Sequence, residues 1–387
     1  MQTNQERVNK RWRFLRWKRI IGGLVCAAAA WHAQAAGVQP EVLVRGLEHP
    51  WAVAFIGQGQ MLVTERPGRM RVVSPAGELG PPLEGLPRVD AVGQGGLLDV
   101  IADSDFASNR QLYFCFAEPA ADGGGNSTAM ASARLSADQR RLENVRVIFS
   151  QRPKVNSRHH FGCRIVESPQ GYLFLTLGDR FGRMQDAQTL DNHHGKVIRV
   201  RKDGTVPPDN PLVGRAGALP EIWSWGHRNP QGATWGPDGR LWIHEHGPQG
   251  GDEINRPEPG KNYGWPVITY GENYGGGPIG DGITHKEGME QPLHQWTPSI
   301  APSGMAFVSS DRYGPAWKGS LMVGALRGRH LARLEVADGR VVREERLLES
   351  LGQRIRDVRE GPDGLLYLLT DDRNGQLIRL QPTSTQR

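Results

Sequence analysis

The sequence predicts an all-β fold, a six-bladed β-propeller built from four-stranded antiparallel sheets. Three observations carry that expectation. One phrase of strand, turn and strand recurs six times along the chain. Fifty glycines and 27 prolines accompany few long helical patterns, the balance of many short strands joined by turns. Pro-x-Gly turns also recur in equivalent places, as Pro169-Gln170-Gly171, Pro237-Asp238-Gly239 and Pro362-Asp363-Gly364. In these, proline presets φ and glycine relieves the tight turn.

Taken in order, the first copy is Gln60-Met61-Leu62-Val63-Thr64 followed by Met70-Arg71-Val72-Val73. The second pairs Gln111-Leu112-Tyr113-Phe114 with Ala133-Arg134-Leu135, and the third Gly171-Tyr172-Leu173-Phe174-Leu175 with Lys196-Val197-Ile198-Arg199-Val200. Arg240-Leu241-Trp242-Ile243 marks the fourth. Ser320-Leu321-Met322-Val323 with Ala332-Arg333-Leu334 is the fifth, and Gly364 to Leu368 with Gln376 to Leu380 the sixth. Units begin near Trp51, Gly95, Phe161, Gln231, Gly304 and Ile355. Each suits a four-stranded sheet, and radial packing of such sheets gives a propeller. Val42-Leu43-Val44 is expected to complete the last blade and close the ring; Asp122–Ser127 reads as a loop. A pair of β-sandwiches is the alternative, disfavoured by six copies of one phrase.

The first 35 residues stand apart. Seven basic residues against the single acid Glu6 precede an apolar run from Ile20 to Trp31, and Ala33-Gln34-Ala35 follows with small residues at signal-peptidase spacing. About a dozen apolar residues are too few to span a ~30 Å hydrocarbon core. Residues 1–35 are therefore expected to be a cleaved secretory signal, and 36–387 a single propeller domain in the periplasm, without stable membrane insertion. Cys26 lacks the small residues a lipoprotein site prefers before it, and no Arg-Arg pair marks a twin-arginine route. The segment takes seven of the 47 Lys+Arg and one of the 41 Asp+Glu, leaving 40 against 40. A formally neutral mature chain gives no electrostatic ground for nucleic-acid binding. Cys115 and Cys163 then remain, and whether they pair is open at this stage.

Chemistry is expected between the repeats, since a scaffold carries no function by itself. His159-His160-Phe161-Gly162-Cys163-Arg164 puts a histidine at a strand start, where it could be a general base or a hydrogen-bonding loop residue. Gly226-His227-Arg228-Asn229-Pro230 offers a guanidinium fork for carboxylates, or a structural turn. Glu245–Asn255 followed by Asn262-Tyr263-Gly264-Trp265-Pro266 combines glycine-rich backbone with carboxylates. That suits calcium, though it does not have EF-hand spacing and also reads as a surface loop. Arg354 and Arg356, two apart on one strand, share a face and want an anionic ligand or acidic partners. Gly93-Gln94-Gly95-Gly96 is the last and weakest signal.

In order, GQGGLLDV, HFGCR, GHRNPQG, EHGPQGGDEIN, KNYGWP and QRIRDV resemble the soluble aldose sugar dehydrogenases dependent on pyrroloquinoline quinone (PQQ), in the glucose/sorbosone dehydrogenase family. The similarity runs from Val42 to Leu380. It implies that His160 is the base taking the anomeric hydroxyl proton of an aldose mono- or oligosaccharide, and that Arg228 polarises the accepting carbonyl. Gln94, Arg228, Asn229, Tyr274, Arg327, Arg354 and Arg356 match cofactor contacts. Gly247 and Pro248 match a calcium site beside PQQ, and Glu253 and Tyr263 a further calcium site (Ca2+ in both). Two positions depart from the pattern. His159 stands where relatives carry Asp or Asn, and Cys163 replaces a small residue, usually Gly. Competing readings are a calcium-dependent sugar lactonase and a non-catalytic carbohydrate-binding propeller; neither needs a cluster of arginines for a tricarboxylate. The electron acceptor is not specified by sequence.

N-terminal sequencing of protein purified from the periplasm should begin near Ala36. A return of Met1 or Gln2 would contradict the signal.

Overall fold

The computed structural model describes residues 37–383. The segment expected to be a secretory signal lies outside them. The described chain forms six four-stranded antiparallel sheets, the expected six blades. The innermost strands are Pro50–Phe55, Leu97–Ala102, Gly162–Glu167, Pro230–Trp235, Pro302–Phe307 and Ile355–Glu360, each beginning within a few residues of a unit start expected from the repeat. Inner and second strands are buried on both faces, as in Tyr172–Leu177 and Leu366–Thr370. They consequently read as apolar runs rather than alternating patterns.

Val38–Leu47 pairs antiparallel with Gly375–Pro382, Val42 opposite Ile378, so the two ends of the chain close blade six. Each Pro-x-Gly turn places its glycine in the left-handed region, with φ 78° at Gly171, 71° at Gly239 and 75° at Gly364.

Two loop readings change. Asn126 and Ser127 already belong to the ten-residue strand Asn126–Leu135, paired with Gln111–Pro119. The Glu245–Asn255 segment is strand at both ends, with Leu241–Glu245 and Asp252–Asn255 paired across the intervening loop. Alternate buried positions hold Asp252 and Ile254 there, a pairing that the surrounding glycines masked. Residues 256–293 then form a long excursion before the last strand of blade four, His294–Trp296.

At the centre the inner strands carry charge. Arg164 Nη1 bonds Asp357 Oδ1 at 2.9 Å and Asp99 Oδ1 at 3.2 Å. Arg359 bonds the same two carboxylates, at 2.6 Å to Asp99 and 3.1 Å to Asp357. Asp357 also accepts from the Val53 amide, Asp99 from the Ile165 amide, and Arg164 Nε donates to the Gln231 carbonyl. Five of the six blades meet in this network. Hydroxyls stitch neighbours together: Thr64 to Leu98 O, Thr128 to Phe161 O, Thr176 to Pro230 O and Ser303 to Ile355 O. Cys115 and Cys163 form a disulfide, Cα atoms 5.7 Å apart, joining the second strand of blade two to the inner strand of blade three. Residue 163 has φ 80°, a backbone region that favours glycine.

Arg164→Met should cost about 3–5 kcal/mol, because Asp99 and Asp357 would remain buried with one cation between them. Urea denaturation measures it; a loss under about 1 kcal/mol, the worth of a surface pair, would show the network to be dispensable.

Candidate active site

Gln94, His160, Arg228, Asn229, Arg354 and Arg356 all sit at or just before the start of an inner strand. Inner strands of a propeller start at one end of the central channel, so residues distant in sequence meet there. They line two cavities, and Phe161 and Asn229 of one directly follow His160 and Arg228 of the other in sequence.

The larger cavity, about 700 Å³, is lined by Gln94, Asn229, Arg354 and Arg356, together with Arg66 and Arg373, which sequence reading did not single out. Arg356 bonds Asp371 Oδ2 at 2.9 Å and Gln231 Oε1 at 3.3 Å, while its buried Nε has no partner. Arg354 shares Asp371 at 3.3 Å. Burial would raise the Asp371 carboxyl, but Arg356, His49 and Arg354 hold it below the usual carboxylate range. One carboxylate serving two arginines leaves cationic donors turned toward the cavity.

The smaller cavity, about 190 Å³, is lined by His160, Asp179, Arg228, Trp265, Tyr274 and Ile279, with Phe181, Met184 and Pro248 at its edge. His160 is 5% exposed and sits at φ 52°; its amide donates to Gln94 Oε1 at 2.8 Å. Its Nδ1 lies 2.6 Å from Asp179 Oδ1. Asp179 also accepts from the Trp265 indole at 2.8 Å and the Phe181 amide at 2.8 Å. Burial would raise the Asp179 carboxyl, yet its contacts with His160 and Arg228 and the Phe181 amide lower it, so it is ionised at neutral pH. An acceptor at Nδ1 places the ring proton there and leaves the lone pair on Nε2. Burial lowers the His160 pKa, Asp179 partly offsets this and Arg228 adds to it, so the ring is neutral and fit to accept a proton. Gly178 permits the arrangement: a Cβ there would lie 2.1 Å from the His160 carbonyl oxygen.

Asp179 and Trp265 are the partners that sequence reasoning missed. Trp265 stood inside a quoted segment without a role. The only signal for Asp179 was a carboxylate directly after Gly178 at a strand end. His159 is exposed and lies tilted against Phe181 with centroids 5.5 Å apart. The orientation of His160 is set by Asp179 instead.

Arg228 Nη1 donates to the carbonyls of Gly247 at 2.7 Å and His246 at 3.1 Å, its Nη2 reaches the Tyr274 hydroxyl at 3.4 Å, and its buried Nε is unpartnered. The Gly247 carbonyl therefore faces the site, with one lone pair already engaged. Glu253 and Tyr263 lie elsewhere in blade four and its excursion. Desolvation and the neighbouring Glu245 push the Glu253 carboxyl up, and Asn255 Oδ1 nearby is unpartnered. This excess of oxygen acceptors suits a hard cation. The Tyr263 hydroxyl is committed to Arg256 O and the Glu258 amide, which leaves its main-chain oxygen for such a role. Arg327 is exposed and lines neither cavity; its neighbour Leu326 lines the larger one.

The family model described as Glucose / Sorbosone dehydrogenase matches residues 47–379. Aldose sugar dehydrogenase YliI of Escherichia coli (strain K12) is 45% identical over 362 residues, 93% of this chain and 97% of that protein. A solved glucose dehydrogenase superposes with a TM-score of 0.86 at 50% identity, covering 89% of this chain and 100% of the other. The PQQ-bound aldose sugar dehydrogenase of Streptomyces coelicolor superposes at 0.71 with 27% identity, covering 89% and 99%. With its six blades and its histidine–carboxylate pair at the channel mouth, this chain belongs to the glucose/sorbosone dehydrogenase family.

Proposed function

We propose that the protein oxidises aldose sugars at the anomeric carbon to lactones, using PQQ and Ca2+, after export to the periplasm. The observation that carries this reading is the pair of adjoining cavities. One is large and cationic; the other is small and holds a neutral, carboxylate-oriented histidine. A calcium-dependent lactonase needs no clamp for a tricarboxylate and would leave the arginines of the larger cavity without a role.

PQQ carries three carboxylates, and the unpartnered Nε atoms of Arg356 and Arg228 are buried donors of the kind such a ligand satisfies. Gln94, Asn229, Arg354 and Arg356 would hold it, joined by Arg66 and Arg373; Tyr274 and, by resemblance, Arg327 complete the contacts. The Gly247 and Pro248 carbonyls would hold the calcium beside it, and Glu253 and Tyr263 a further one. When bound, the quinone supplies the two-electron acceptor for the sugar's C1 hydride, with calcium as its Lewis acid.

The protein's own residues do the rest. His160 Nε2 takes the anomeric hydroxyl proton as the C1–H bond breaks. Asp179 stabilises the imidazolium that forms, as a buried carboxylate does for a histidine base. Arg228 offers positive charge where negative charge develops. Trp265, Ile279 and Met184 give the sugar ring an apolar wall and keep water from the proton transfer. The electron acceptor that returns the protein to its starting state is a separate, still unidentified partner.

Arg354→Ala and Arg356→Ala should each raise the Kd for PQQ roughly ten- to a hundredfold, the loss of one charge-assisted hydrogen bond. His160→Ala should keep that affinity and lower kcat by about 10²–10⁴, whereas His159→Ala should cost far less. PQQ titration and steady-state rates separate these effects. Wild-type affinity in both arginine variants, or an active His160→Ala protein, would overturn the assignment.

A further inference from the structure

Behind the smaller cavity lies a buried cation that the scheme above does not use. Lys196, the first residue of the strand Lys196–Arg201, has no exposed surface. Its ammonium bonds three main-chain carbonyls: His194 at 2.6 Å, Asp186 at 2.9 Å and Ala187 at 3.3 Å. The Asp186 carboxylate is engaged elsewhere, with His194 Nδ1 and Arg183 Nε, both at 2.8 Å. Burial pushes the lysine's pKa down to about 7, against the opposing pull of Asp186, Asp191 and Asp179. A charge buried at that cost, with carbonyls rather than a carboxylate around it, is organising backbone.

The backbone in question belongs to the site. Asp186 and Ala187 lie in the 3₁₀ turn Met184–Gln188, whose first residue lines the cavity. Ala187 packs against Trp265 and Ile279, and its carbonyl also accepts from the Gly226 amide at 3.0 Å, two residues before Arg228. Gln188 Nε2 donates to the Trp265 carbonyl at 2.7 Å, and Asn262 Nδ2 returns a bond to Gln188 Oε1 at 2.8 Å. The indole of that same Trp265 is a donor to Asp179.

We propose that Lys196 is a positioning residue for the proton-accepting histidine. Its ammonium gathers the Met184–Gln188 turn, the turn fixes Trp265 through Gln188, and Trp265 sets the Asp179 carboxylate that orients His160. The proposal rests on His160 acting as the base. It has an electrostatic signature: the indole N–H draws negative charge from Asp179, so withdrawing it strengthens the carboxylate's hold on the imidazolium. The His160 pKa then rises.

The test uses Lys196→Met, which keeps the volume and removes the three donors, and Gln188→Leu, which leaves Lys196 in place and breaks the bonds to Trp265 and Asn262. Both are compared with wild type after loading with PQQ and calcium, with rates taken per bound cofactor on D-glucose. Lys196→Met should lower kcat roughly ten- to a hundredfold, the scale of a small misplacement of a catalytic group. Gln188→Leu should fall in the same direction by less. In both, the acid limb of kcat/KM should move to higher pH while PQQ affinity is unchanged. NMR of His160 in the cofactor-free proteins should show its pKa raised in both variants, which separates this proposal from the dehydrogenase reading. A wild type that binds PQQ and leaves glucose untouched overturns that reading alone. An unchanged His160 pKa in folded variants overturns the positioning role, as does a loss confined to cofactor affinity. If circular dichroism shows Lys196→Met unfolded, Gln188→Leu decides.

Discussion

The structure turns on the buried network of Arg164, Asp99, Asp357 and Arg359 at the centre of the ring. Two cations and two carboxylates cancel in net charge, and each carboxylate also accepts a backbone amide from an inner strand. Asp99, Asp357 and Arg164 are buried and Arg359 partly so. Burying charge is costly unless geometry compensates it, so the network favours one arrangement of the blades and penalises others. That arrangement matters for chemistry. Arg164 follows His160 by four residues, Asp357 follows Arg356 directly, and Val53, whose amide the network holds, lies two residues past Trp51 of the larger cavity. Registering the inner strands at the centre registers the site residues at their starts. The Cys115–Cys163 disulfide adds a covalent tie on the strand that carries the base's neighbours.

Above the network the two cavities divide the work by electrostatics. In the larger one, arginines outnumber the acids that neutralise them, and burial strengthens their attraction for an anion. In the smaller one, burial and Arg228 keep His160 neutral while Asp179 fixes its tautomer. A folded-state pKa below that of free histidine means the ring gains its proton only as pH falls further. In the proposed mechanism, proton transfer to Nε2 is therefore favoured above that pKa and lost as pH drops through it.

The blade count could be read from the sequence because each blade repeats its own turn and apolar strand, both local features. The starts of the inner strands were equally visible, since Gln94, His160, Arg228 and the Arg354–Arg356 pair flank them. What stayed hidden depends on contacts between distant segments. Trp265 and Asp179 are 86 residues apart and meet only after blade four's excursion folds back toward blade three. Arg66 and Arg373 join the larger cavity from turns that carry no special signature. The cysteine pairing needed a Cα separation that only the fold supplies. Asp252–Asn255 hid its strand among glycines, where composition argued for a loop.

The central claim is that one chain holds a quinone-sized anion in the large cavity and abstracts protons in the small one, so that a sugar's C1 hydride crosses between them. Its most direct test is an anaerobic single turnover of the PQQ- and calcium-loaded protein with D-glucose and with C1-deuterated D-glucose. The account predicts one equivalent of quinone reduced per lactone formed, with a slower reduction for the deuterated sugar. Quinone that stays oxidised while sugar is bound, or reduction without lactone, would contradict it.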